Sequence, residues 1–83
     1  MLIRRVVGNS MYPVLKQGQI VVAVRKKIST GKVVVAYLEG REVIKRVNSL
    51  KPTIVLKGEN KKSAEYDDVR ESDILGVVIW PKI

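Results

Sequence analysis

The 83-residue sequence contains no cysteine and no histidine. Without cysteine there is no disulfide framework, no thiol nucleophile and no thiolate metal site. Without histidine there is no Ser-His-Asp triad, no Cys-His pair and little zinc chemistry, so acid-base work falls to carboxylates, lysines and tyrosines. Long apolar runs are missing as well: the longest, Val33 to Leu38, falls far short of the roughly 20 residues that cross a bilayer. No hydrophobic stretch follows the charges of Met1-Leu2-Ile3-Arg4-Arg5, so the N-terminus does not read as a secretory signal. The expected location is the cytoplasm, with peripheral membrane attachment as a variant. A chain this short buries only about 60% of its unfolded surface, which predicts one thin-cored domain over residues 1–83.

Acidic residues are scarce and unevenly placed. The chain carries 16 Lys and Arg against 8 Asp and Glu, a net charge of +8. Up to Gly58 the only acids are Glu39 and Glu42, whereas Glu59, Glu65, Asp67, Asp68, Glu71 and Asp73 make the remainder mildly acidic. Such a balance points to anionic partners, either nucleic acid or an anionic membrane surface. The basic residues are scattered, however, and the one cluster, Arg25-Lys26-Lys27, has no interleaved aromatics for base stacking. Nucleic acid is therefore not expected as the main partner; an anionic membrane surface stays a candidate.

What the sequence has in abundance is β-branched side chains. Valine and isoleucine number 23 against six leucines and three alanines, a bias toward strands. The predicted strands are Ile3 to Val7, Gln19 to Val24, Lys32 to Leu38, Glu42 to Val47, Thr53 to Lys57 and Ile74 to Trp80. The second and third are apolar enough to be buried on both faces. Glu39-Gly40-Arg41 predicts a hairpin between the third and fourth strands. Residues Gly58 to Asp73 read as one long polar stretch without a strand.

Two places suggest chemistry. Gly8-Asn9-Ser10-Met11-Tyr12-Pro13 is a constrained turn between strands that can present the Ser10 hydroxyl, although Ser and Pro in such a place also serve as plain turn residues. In Glu42-Val43-Ile44-Lys45-Arg46-Val47, period two puts Lys45 on the face of Val43 and Val47. An ammonium on an apolar face snorkels to water, finds a carboxylate or loses its proton. In the last case the free amine can serve as base for a serine nucleophile.

The segment Val7-Gly8-Asn9-Ser10-Met11-Tyr12-Pro13-Val14-Leu15 with Gly18 resembles the nucleophile box of the signal peptidase I and LexA-like Ser-Lys peptidases. Gly31-Lys32-Val33-Val34-Val35 resembles their next glycine-led strand, and Val43-Ile44-Lys45-Arg46-Val47 the box with the general-base lysine. Gly58-Glu59-Asn60, Ser63, Asp68-Val69-Arg70 and Leu75-Gly76-Val77-Val78 resemble the closing box. In layout the chain is similar to small soluble members such as nickel superoxide dismutase maturation proteases, which share the Trp80-Pro81 type of ending. Departures from the pattern are Gln19 and Lys32 where aspartate is common, Glu59 in place of aspartate, extra residues between Ser63 and Asp68, and Gly8 in place of a serine oxyanion donor.

The resemblance implies a mainly β, strongly bent antiparallel fold with neither metal nor organic cofactor. It implies Ser10 as nucleophile, Lys45 as base, and an oxyanion hole from the backbone of Asn9 and Ser10. Ser63 or Asp68 would stand near the lysine or brace its loop. Gly8, Met11, Pro13, Arg46, Asn60 and Arg70 would contact substrate or support the site. The activity implied is endopeptidase cleavage after small residues, on a peptide or protein bound as an added strand. The alternative reading, motivated by the altered acidic positions, is an inactive β scaffold that binds peptide or nucleic acid.

Overall fold

A computed structural model describes all residues 1–83. Its strands are β1 (Leu2–Arg5), β2 (Ile20–Val24), β3 (Val33–Leu38), β4 (Arg41–Ser49), β5 (Ile54–Lys57), β6 (Tyr66–Val69) and β7 (Ile74–Trp80), with one short 3₁₀ turn at Glu71–Asp73. They form one seven-stranded sheet in the order β1-β2-β7-β3-β4-β5-β6, and every pairing is antiparallel. The fold is mainly β, as the excess of valine and isoleucine predicts.

The sheet is strongly bent. In a flat sheet, β1 and β4 would lie four strand spacings apart, roughly 19 Å. Instead the Arg4 Nε on β1 reaches the Glu42 Oε1 on β4 at 2.7 Å. Curling of this kind divides the core in two. One cluster holds Val6, Met11, Leu15, Val21, Ala23, Val33, Val35 and Val78, and the other Val34, Ala36, Leu38, Val47, Leu56, Tyr66, Val69 and Val77. Alternation along β3 supplies both, with Val33 and Val35 facing one cluster and Val34, Ala36 and Leu38 the other. Leu56 is fully enclosed in the second cluster, so Leu56→Ala is expected to cost about 2–5 kcal/mol by chemical denaturation, a large share of so small a protein's stability.

Two glycine bulges shape the ends of the curl. Gly18 N–H donates to the Val6 carbonyl and Val6 N–H to the Gln19 carbonyl; Gly31 N–H donates to the Val47 carbonyl and Val47 N–H to the Lys32 carbonyl. Each places two residues opposite one, with the glycine at φ +91°, which a side chain would disfavour. The first bulge explains why regular β1 stops at Arg5 although pairing with the neighbouring chain continues through Val6.

Two sequence expectations are corrected. β2 is not buried on both faces: Val21 and Ala23 are enclosed, while Ile20, Val22 and Val24 are only half-buried because no second layer covers them. The polar stretch Gly58 to Asp73 also contains β6, anchored by buried Tyr66 and Val69. The hairpin of β3 and β4 is as expected, pairing Leu38 with Arg41 through Val33 with Arg46.

Candidate active site

The bend leaves an open groove of about 730 Å³ between two unpaired strand edges. One rim runs from Arg4 through the Gly8–Met11 turn, the other from Arg41 to Lys45 on β4, and Asn60, Lys62, Ser63 and Ala64 close one end. β5 pairs with β4 only at Arg46, Val47 and Ser49, so Arg41 to Lys45 have β3 on one side and the groove on the other. The main-chain groups of Val47 point to the β3 side. Alternation then turns those of Lys45 and Val43 the same way, and leaves those of Glu42 and Ile44 facing the groove.

Ser10 follows Gly8, which at φ +83° swings the chain out of β1. After it the chain winds into a single turn, closed by Tyr12 N–H on the Asn9 carbonyl at 3.1 Å and Leu15 N–H on the Met11 carbonyl at 2.8 Å. Met11 and Leu15, both buried, pin this turn to the first core cluster. The backbone N–H groups of Asn9 and Ser10 donate to no protein acceptor, whereas the Ser10 carbonyl accepts from Asn60 N–H at 2.9 Å. The Asn60 side-chain amide adds a contact to the Asn9 carbonyl at 3.3 Å. In this way the loop between β5 and β6 is stitched to the serine turn.

Lys45 lines the same groove from β4. It is the only charged residue in the core, 3% exposed, and none of the protein's three ion pairs includes it. Its Nζ donates to the Ala64 carbonyl at 3.0 Å and lies 5.6 Å from the centre of the Tyr66 ring. These two contacts favour the ammonium form by about 1–3 kcal/mol each. Taking an unpaired ammonium out of water costs several kcal/mol. The balance falls against the charge: burial first, and the positive Arg41 second, hold the Lys45 pKa below its ordinary value of 10.5. On the rim, the Glu42 pKa is lowered too, chiefly by the hydrogen bond from Arg4, and for a carboxyl that favours the charged form.

The other candidate residues fall into two groups. Gly8, Asn9, Ser10, Met11, Lys45, Asn60 and Ser63 all line the groove. Pro13, Arg46, Asp68 and Arg70 do not. Arg46 points away, pairing with Glu59 and donating to the Gly31 carbonyl. Asp68 is exposed on β6 at φ +52°, and Arg70 is exposed ahead of the 3₁₀ turn, where Asp73 accepts its N–H at 3.2 Å. Ser63 directs its hydroxyl to the Asn60 carbonyl at 2.8 Å, so the acceptor for Lys45 is the Ala64 carbonyl and not Ser63. Ser63 and Asn60 therefore brace the loop.

Some contributors escaped sequence reading. Ala64 acts through its backbone, which no side chain advertises. Tyr66 lies beneath the lysine because β6 forms, and Arg4 meets Glu42 only because the sheet curls. Gly58 had a family signal but no physical one: a Cβ there would collide with the Ser63 Oγ and the Ser10 carbonyl oxygen.

A curled antiparallel sheet with this serine turn and enclosed lysine on one groove defines a peptidase-like, LexA-like domain. The Peptidase S24-like family model matches residues 1–79, and the chain belongs to that family. No curated protein and no solved structure matches it significantly. No helix is long and apolar enough to cross a membrane.

Proposed function

We propose that the protein is a serine endopeptidase in which Ser10 is the nucleophile and Lys45 the general base, acting after small residues of an extended peptide. The observation that carries this reading is Lys45 itself, enclosed without a carboxylate partner on the groove that also receives Ser10. A structural lysine would recover only part of the desolvation cost there, from the Ala64 carbonyl and the Tyr66 ring. A base gains from such a place, because only the free amine can take a proton near neutral pH.

The substrate lies along the open edge of β4 and bonds to the main chain of Glu42 and Ile44. The Lys45 amine takes the hydroxyl proton as the Ser10 Oγ bonds to the scissile carbonyl carbon. The oxyanion settles on the free backbone N–H groups of the Asn9–Ser10 turn, a contact that typically contributes a factor of about 10²–10³ per donor. As the C–N bond breaks, the Lys45 ammonium returns the proton to the leaving amine. Water then gives a proton to Lys45 and its oxygen to the acyl carbon, and the Ser10 Oγ leaves with the proton held by the lysine. Each group ends as it began.

The test is to trap the acyl-enzyme. Incubation with an activated ester of a peptide ending in alanine, followed by acid quench and mass spectrometry, is expected to show the acyl mass on the fragment containing Ser10. An adduct on another residue, or none alongside an absence of peptide cleavage, refutes the proposal.

A further inference from the structure

The groove carries a charge bias that acyl transfer does not need. Apart from Lys45, its charged lining is Arg4, Arg5, Arg41 and Lys62 against Glu42 alone. The five are not equivalent. Arg5 donates to the Gly18 carbonyl at 2.8 Å, which holds it to its own hairpin. Arg4 grips Glu42 through two nitrogens, at 2.7 and 3.1 Å, so one cation is matched by the protein's own carboxylate. Neither Arg41 nor Lys62 forms an ion pair; Arg41 has the Tyr66 hydroxyl and, more weakly, Glu39 as neighbours, and keeps its charge unmatched in the groove. They stand at separate points, Arg41 at the entry of the open β4 edge and Lys62 on the loop that covers Lys45.

We infer that the groove selects acidic peptides, with Arg41 and Lys62 receiving the carboxylates that flank the scissile bond. This deepens the proposed function and rests on it for the cleavage, though not for the binding. Geometry fixes the position of one carboxylate. The Arg41 backbone lies four residues before Lys45 on an extended strand, roughly 14 Å away at the usual rise per residue, while its guanidinium reaches back toward Tyr66 and Lys45. A substrate strand laid along β4 therefore brings a side chain within about four positions of the cut bond to Arg41. It does so on one side of that bond only, because beyond Lys45 the edge of β4 is occupied by β5 from Arg46 onward.

The arrangement has a counterpart in the protein itself. Glu42 already sits in the groove as an anion clamped by an arginine, which is the contact a substrate carboxylate would make with Arg41. Paired, exposed charges of this kind change affinity by roughly fivefold at low salt and are screened as salt rises.

Three fluorescent peptides with alanine at the cleavage position and Asp, Asn or Lys four residues away, on either side, test the inference in both binding and cleavage. At about 50 mM salt the Asp peptide is expected to bind roughly fivefold more tightly than the Asn peptide, and the Lys peptide more weakly than either. The difference should arise on one side of the bond only and fade near 0.5 M salt. Arg41→Glu should reverse the order. Because Arg41 also acts on Lys45, Lys62→Glu with Asp scanned through the positions nearest the bond is the cleaner second variant, and it too should invert the preference. Lys26→Glu, with the same change of net charge away from the groove, should leave the order intact. Equal binding and equal cleavage of all three peptides overturns the inference and leaves the endopeptidase reading standing. Absence of cleavage with the Asp preference in binding intact sinks the endopeptidase reading and upholds the acidic groove; no cleavage and no preference overturns both.

Discussion

Lys45→Met is expected to abolish peptide cleavage while making the protein more stable. Activity should fall by a factor on the order of 10⁴ or more, as when one member of a catalytic pair is removed. Stability should rise by about 1–2 kcal/mol, because methionine fills the same volume with no charge to desolvate; for a domain of this size that is roughly 4–8 °C in Tm per kcal/mol. Lys45→Arg should be equally inactive and less stable than wild type, since a guanidinium cannot shed its proton in the core. The pair of outcomes separates a catalytic lysine from a structural one. A structural lysine holding Ala64 in place would lose stability in both variants.

The same residue sets the pH behaviour. The Lys45 pKa is lower in the folded protein than its ordinary 10.5. Between those two values the unfolded chain holds a proton that the native state lacks, so stability rises with pH across that window. Below the folded pKa both states are protonated and the cost of the buried ammonium is borne in full. Under the proposed mechanism, activity is expected to follow the free amine, increasing with pH through the folded pKa to a plateau. Thermal melts across alkaline pH should show the rise in wild type and a weaker one in Lys45→Met. Identical slopes in the two proteins would remove the lysine from the account.

Gly58→Ala is the second large effect. The added methyl would overlap the Ser63 Oγ and the Ser10 carbonyl oxygen. The serine side chain can turn away only by giving up its bond to the Asn60 carbonyl. The carbonyl belongs to the backbone of the serine turn, which Met11 and Leu15 pin to the core. Relief requires the loop between β5 and β6 to lift, which breaks the Asn60 N–H bond to Ser10 at 2.9 Å and carries Ala64 away from Lys45. Overpacking of this kind costs about 1–3 kcal/mol, and a shift near 1 Å at the reacting groups costs about 10²-fold in rate. Denaturant titration together with kcat/KM measures both. A variant with native activity would mean that the loop does not position the site.

The sheet was legible because valine and isoleucine dominate its strands, and the β3–β4 hairpin because Glu39-Gly40 interrupts two such runs. β6 was not, for a physical reason. Tyr66-Asp67-Asp68-Val69 keeps its buried residues three apart, not two, because the register slips between Ile54 and Leu56 and Asp68 adopts φ +52°. A strand that breaks its own alternation cannot be found by alternation. The enclosure of Lys45 could be read from period two, since Val43 and Val47 flank it on one face. Its partners could not: Ala64 contributes only a carbonyl, and Arg4 and Glu42, 38 residues apart, meet through a curvature that no local pattern encodes. The prominence that family likeness lent to Arg46, Asp68 and Arg70 does not reflect the groove: Arg46 is drawn to Glu59 and the Gly31 carbonyl, and Asp68 and Arg70 are exposed outside it.

The unpaired edge of β4 has a consequence for what can be digested. Two facing strand margins, tied together at one point by Arg4 and Glu42, leave a slit whose β4 side offers unpaired main-chain groups. Under the proposed peptidase activity, a client must therefore offer a stretch loose enough to lie extended along that edge.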